Sequence, residues 1–330
     1  NKKSVFYYSV FFPIVELIGA LSGALIIWYG GGEAVQGALT IGILISFIQY
    51  SEMFFRPIRD LSEKYNIMQT AMASSERIFR LLDRQSVIND PLKPVELGEC
   101  KGNIEFKNVW FAYVKEDYVL RDISFNIRQG EKVAFVGATG AGKSSIMNLL
   151  CRFYDTQKGE ITIDGINIKD LRQHDLRRNI GLVVQDIFLF SDSIANNISL
   201  NNKEISGEKI KGAASIIGIN SFIDKLPLGY GQNVKERGVT LSQGERQLIT
   251  FARALAYDPK ILILDEATSS VDTHSEILIQ NAIDKLMDGR TSIIIAHRLS
   301  TIQKCDKIIV MHKGEIRETG THQQLLEHGG

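Results

Sequence analysis

The chain has 330 residues, 38 of them basic and 38 acidic, a length that fits two or three domains. Balanced charge argues against the basic surface of a nucleic-acid-binding protein and against an acidic disordered tail. The three cysteines, Cys100, Cys151 and Cys305, are too few and too widely spaced for a disulfide framework or a zinc site, so they read as packing residues in a reducing cytosol.

From Val5 to Tyr29 the sequence is almost wholly apolar, and as a helix it is long enough to cross a bilayer core of about 30 Å. A signal peptide would have a shorter apolar core and a small-residue cleavage site. Gly30-Gly31-Gly32-Glu33 predicts a turn, and a second apolar run, 34–55, predicts a returning span, made more polar by Thr40, Ser46, Gln49 and Glu52. Lys2 and Lys3 precede the first span and Arg56 and Arg59 follow the second, with no positive charge between them, so both ends are expected in the cytoplasm. Two buried helices of a soluble protein are the alternative. Glu16 lies near the middle of the first span, where such a group faces a partner helix or a water-filled path. The chain starts at Asn1 rather than at methionine, as expected of a piece of a longer protein.

After the second span, Leu61, Tyr65, Met68, Met72, Ile78 and Leu81 recur at helical spacing among charges, which extends the helix into the cytosol as an amphipathic one. Residues 1–84 thus read as part of a membrane domain. Pro91 and Pro94 mark a linker over 85–100. From Lys101 onward short apolar runs alternate with turns, the pattern of a water-soluble domain over 101–330. No solenoid repeat or low-complexity tract interrupts it.

The most informative stretch is Gly137-Ala138-Thr139-Gly140-Ala141-Gly142-Lys143-Ser144-Ser145, which fits G-x-x-x-x-G-K-[S/T]. A bland reading is a glycine-rich turn with an incidental lysine. The flanks favour a phosphate-binding loop: Lys132 to Val136 suits a buried strand, and Ser145 to Cys151 has helical character. Glycines let the backbone aim N–H groups at phosphate, the helix N-terminus adds partial positive charge, Lys143 reaches the β- and γ-phosphates of ATP, and Ser144 ligates Mg2+.

Further on, Ile261-Leu262-Ile263-Leu264-Asp265-Glu266 is a buried-strand run ending in two carboxylates. Downstream of a phosphate-binding loop, Asp265 suits support of magnesium at a strand end, and Glu266 suits polarising the water that attacks the γ-phosphate. Between the two lies Leu241-Ser242-Gln243-Gly244-Glu245-Arg246-Gln247. Ser242 offers a hydroxyl, Gly244 permits close backbone approach, and Glu245 to Tyr257 can form a helix whose N-terminus favours phosphate.

This last run resembles the signature of the ATP-binding cassette (ABC) family, usually Leu-Ser-Gly-Gly-Gln. The chain as a whole resembles the C-terminal part of an exporter-type half-transporter of the multidrug and lipid kind: the last two membrane spans and one nucleotide-binding domain. The fold class so implied is a membrane α-helical segment plus an α/β P-loop NTPase cassette with a helical subdomain. The resemblance further implies that Tyr113 stacks on adenine, that Gln185 senses magnesium and the membrane domain, and that His297 contacts the γ-phosphate. Asp272, in Ser270-Val271-Asp272, matches the loop that couples opposing sites, and Glu236-Arg237-Gly238 matches a segment used for domain contact. The signature residues Ser242, Gln243, Gly244 and Glu245 are implied to contact ATP held by the phosphate loop of an opposite subunit. Gln243 and Glu245 depart from the usual glycine and glutamine, and a negative charge near phosphate would weaken that contact.

The expected function is ATP hydrolysis coupled to export, with ATP and Mg2+ as cofactors. The expected partners are a second half-transporter, membrane lipid and a transported substrate, with no nucleic acid. The expected place is the plasma (inner) membrane, with the nucleotide-binding domain in the cytoplasm. Two other readings compete: a soluble cassette ATPase of DNA repair or translation, and a nucleotide-gated or regulatory half-subunit with weak hydrolysis.

Overall fold

The computed structural model describes residues 2–84, 88–265, 273–295 and 299–327, and the chain divides into two compact units, Asn1–Val87 and Ile88–Gly330.

The first unit is a helical pair, α1 (Lys2–Val35) and α2 (Ile41–Leu82). Gly19 faces Phe55 and Gly30 faces Leu44, while the hydroxyls of Ser22 and Ser51 lie 3.3 Å apart. Partners that descend along α2 as they rise along α1 make the pair antiparallel. The expected turn at Gly30–Glu33 is corrected, since those residues are helical. Glycine permits a helix end but does not impose one, and a Cβ on Gly30 would stand 2.6 Å from Leu44 Cδ1, so this glycine serves close helix contact. The helix stops instead at Gly37, whose φ is +77°. Ala38 N–H donates to Glu33 O at 3.0 Å and Gly37 N–H to Ala34 O at 3.2 Å, the paired bonds of a left-handed glycine stop.

That shift divides the expected second span, 34–55: its first two residues end α1, the turn follows, and α2 begins at Ile41. Among the described residues one stretch, the 23 residues Pro13–Val35, has the length and apolar character to cross a membrane. Almost none of it is buried within the described residues. The apolar start of α2 carries Glu52 and reaches Arg56 soon after.

The second unit opens with residues 88–100 lying on its surface. Val95 N–H donates to Asp170 O at 2.9 Å, Arg152 Nη2 donates to Asn89 O at 3.0 Å, and Cys100 is buried. Then come β1 (Ile104–Ala112), β2 (Tyr118–Ile127), β3 (Lys132–Val136), α3 (Lys143–Leu150), β4 (Lys158–Ile163), β5 (Ile166–Asn167), α4 (Gln173–Arg178) and β6 (Ile180–Val183). A helical stretch follows: α5 (Ile194–Ser199), α6 (Gly207–Ile217), α7 (Asn220–Ile223) and α8 (Gln243–Ala256). The chain then continues through β7 (Ile261–Asp265), α9 (Thr273–Met287), β8 (Thr291–Ile295), α10 (Leu299–Ile302), β9 (Lys307–His312), β10 (Glu315–Gly320) and α11 (His322–Glu327).

Two sheets result. The smaller is antiparallel with order β2-β1-β4-β5, and the larger has order β10-β9-β3-β8-β7-β6. In the larger sheet β6, β7, β8, β3 and β9 run parallel, with β10 antiparallel at one edge. Its parallel strands are nearly continuous Ile, Leu and Val because both faces are covered. Alternation then sorts the side chains. Phe135, Ile263 and Ile295 join the core that contains α3 and the smaller sheet, whereas Ala134, Leu264 and Ile294 join the core that contains α5, α6, α8 and α9. The large sheet therefore stands between α3 and α8.

Candidate functional site

Parallel strands place their carboxyl ends along one edge of the sheet, and in open α/β sheets ligands bind outside that edge where strand order reverses. Here the glycine-rich loop 137–142 follows β3, Gln185 follows β6, and Asp265 ends β7. Asp265 pairs in register with Ile295 of β8, and Phe135 of β3 pairs with the same Ile295. The carboxylate thus lies level with the strand that feeds the loop.

The loop needs its glycines at two points. Gly137 has φ +151°, and a Cβ there would stand 2.2 Å from Met311 O. Gly142 has φ +102° as the residue preceding α3, and a Cβ there would meet Leu120 Cδ2 at 2.6 Å. No side chain caps α3, so its first amides point out of the helix without a side-chain acceptor, as an anion site requires. Gly137, Ala138, Thr139, Gly140 and Ser144 are exposed, whereas Ala141, Gly142, Lys143 and Ser145 are buried.

Lys143 is only 8% exposed. Its Nζ donates to Gly137 O at 2.6 Å and to Ala138 O at 3.0 Å, so the ammonium is held under the loop. Burial lowers its pKa, and the neighbouring Asp265 carboxylate opposes that shift. Ser145 N–H donates to Gly142 O at 3.0 Å, and the Ser145 hydroxyl lies 3.1 Å from that of Tyr113. Tyr113 is partly exposed, with its ring meeting Phe111 and Tyr154 edge-on. The structure thus brings Tyr113, the loop, Lys143, Ser144 and Asp265 to one region of the domain.

Near Lys143 the oxygen groups a cation could use are the Ser144 hydroxyl and the Asp265 carboxylate, and Gln185 comes two residues after the end of β6. Among the described residues no group of three or more His, Cys, Asp or Glu could hold a metal ion. One carboxylate with neutral oxygens is the kind of set Mg2+ takes when substrate phosphates and water supply its remaining ligands, so these residues fit that ion. Glu266, Asp272 and His297 lie outside the described residues. They directly follow β7, precede α9 and follow β8, respectively.

The signature run sits apart from the loop, at the start of α8 on the other face of the sheet. Ser242 caps the helix: its hydroxyl accepts from Glu245 N–H at 3.3 Å, and its own N–H donates to Glu245 Oε2 at 2.7 Å. Gly244 is buried and Gln243 half-buried. This use of Glu245 was not anticipated, although Ser-x-x-Glu before an apolar helix is its sequence mark. Arg253 of α8 donates to Phe188 O at 3.2 Å and to Asn197 O at 2.7 Å. It fastens the segment after Gln185 to the signature helix. Asn148 and Tyr154, which contact Tyr113, were also missed, since nothing local in the sequence joins them to it.

Comparison with known proteins bears on the family. Residues 120–269 match the family described as ABC transporter. A relative described as an uncharacterized ABC transporter ATP-binding protein YknV of Bacillus subtilis is 46% identical over 98% of this chain and 53% of its own length. An ATP-dependent lipid A-core flippase of Syntrophus aciditrophicus is 44% identical over 99% of this chain and 54% of its own length. Among solved structures, a bacterial Atm1-family ABC exporter with ATP bound superposes with a TM-score of 0.72 at 37% identity, over 100% of this chain and 57% of that one. The chain spans about half the length of these relatives.

Proposed function

This chain carries an ATP-binding domain of the ABC transporter family, a family of ATPases, and on that premise we propose that it is the motor half of an exporter subunit. In this reading two such domains close on ATP and part after hydrolysis, and the helices preceding them move a substrate across the membrane. One observation carries it: the phosphate loop and the signature helix stand on opposite faces of one sheet. A nucleotide held at α3 therefore meets the signature of a second subunit, either an identical or a related half-transporter. The apolar stretch Pro13–Val35 supports an integral membrane protein in contact with lipid, and the reading puts it in the plasma (inner) membrane with the ATP-binding domain in the cytoplasm.

Within the site, Gly137 to Ser145 cradle the phosphates and Lys143 neutralises them. Ser144, Asp265 and Gln185 would hold Mg2+, which when bound draws charge from the phosphate oxygens. Tyr113 stacks on the base, Glu266 orients water, and His297 and Asp272 complete the site. Ser242, Gln243, Gly244 and Glu245 close the partner's site. ATP does work on the membrane helices only through its greater affinity for the closed state.

Replacing Glu266 by Gln in the full-length transporter tests the reading. ATP binding is expected to persist while turnover and transport stop, and unchanged hydrolysis would refute the assignment. A second reading, a regulatory half-subunit with weak hydrolysis, is favoured by one observation: the Glu245 carboxylate is held at the start of α8, where a partner's γ-phosphate would arrive.

A further inference from the structure

Tyr113 follows directly on β1 and is held at both ends. Its ring meets Phe111 and Tyr154 edge-on, with centroids 4.7 Å and 5.0 Å away and interplanar angles of 79° and 89°. Its hydroxyl accepts from Asn148 Nδ2 at 3.0 Å and lies 3.1 Å from Ser145 Oγ. Ser145 and Asn148 are three residues apart, so they share one face of α3, the helix whose N-terminus bears the phosphate cradle. The residue remains 44% exposed. An aromatic side chain without such bonds turns about two torsions and must be immobilised when a ligand stacks on it.

We propose that Asn148 is a positioning residue for the nucleotide base. By holding the Tyr113 hydroxyl it sets the ring at a fixed place relative to the phosphate loop, because both are anchored on the same helix. Tyr154 supports the ring from the side. The distance between base platform and phosphate cradle is then built into α3 and is not set anew at each binding event. The inference rests on the reading of Tyr113 as the base-stacking residue.

The test uses the full-length transporter in lipid nanodiscs, with ATP as substrate and inorganic tripolyphosphate as a competitor that lacks a base. Asn148→Ala is expected to raise KM for ATP about 3- to 10-fold while leaving kcat and tripolyphosphate inhibition unchanged. Tyr113→Phe, which keeps the ring and removes the hydroxyl, is expected to do the same, and the double variant to do no more than either single one. An unchanged KM in Asn148→Ala, with a raised KM in Tyr113→Ala, would overturn the positioning role alone. An unchanged KM in Tyr113→Ala would overturn the base-stacking reading and the inference with it. Equal loss of ATP and tripolyphosphate affinity in Asn148→Ala would show a role in the cradle or the fold, and would also overturn the proposal.

Discussion

The Ser242 backbone N–H donates to Glu245 Oε2 at 2.7 Å, and the Ser242 hydroxyl accepts from Glu245 N–H. Each residue thus satisfies an amide that the start of α8 would leave open. The same arrangement keeps a negative charge where, in the proposed dimer, phosphate from the facing subunit arrives. Glu245→Gln retains a weaker reciprocal cap and removes the charge. Its expected effect is a turnover or apparent ATP affinity about 3- to 10-fold higher in the assembled transporter, with a gain that shrinks as salt is added. Ser242→Ala should instead cost about 1 kcal/mol of stability through the lost cap and lower turnover. Urea unfolding and steady-state ATPase assays separate the two.

Gly137 and Gly140 offer a contrast. Both have positive φ, but a Cβ on Gly137 collides with Met311 O whereas the space around Gly140 is open. Gly137→Ala is expected to destabilise the domain by more than about 2 kcal/mol, because strain adds to a backbone clash. Gly140→Ala should cost about 1 kcal/mol. Equal costs in chemical denaturation would contradict the geometry.

Lys143 is the cation beneath the loop, already oriented by Gly137 O and Ala138 O. Lys143→Met should weaken ATP binding by about 10- to 150-fold, the worth of charge-assisted hydrogen bonds. The rise in Tm that a fixed ATP concentration gives the parent protein should shrink accordingly. An undiminished rise would remove Lys143 from the site.

How much of this was legible beforehand depends on sequence distance. The phosphate loop was readable because strand, glycines, lysine and helix are contiguous from Lys132 to Leu150. The helix end in the first unit was misplaced from Gly37 to Gly30, since both are glycines between apolar runs, and the close approach of Leu44 to Gly30 is not local in the sequence. The placing of α8 behind the sheet was not legible at all. It depends on the chain turning back from β6 to pair β7 on the side nearer β3, which reverses the crossover direction, and no local pattern records that order. Tyr113 could be named from a resemblance, but its bonds to Ser145 and Asn148 span 32 and 35 residues.

Cys100 and Cys151 give a pH prediction. Burial pushes the Cys100 thiol up to about 11 and the Cys151 thiol up to about 12, from 9.0. The folded state keeps protons that the unfolded state has lost, so these groups contribute stability below about pH 9 that falls away as the pH rises toward 12. Native protein at pH 8 should resist iodoacetamide at both positions and react at both in denaturant. Mass spectrometry of the alkylated chain checks this.

In the proposed dimer one chain's phosphate loop is closed by another chain's signature. Thr139 and Ser242 are exposed and the three native cysteines are buried, so cysteines introduced at those two positions can be read cleanly. The measurement is oxidative cross-linking of the full-length transporter carrying Thr139→Cys and Ser242→Cys in a Glu266→Gln background, with and without ATP. A covalent dimer that forms only with ATP is expected. A disulfide closed within single chains, leaving them at monomer mobility, would contradict it.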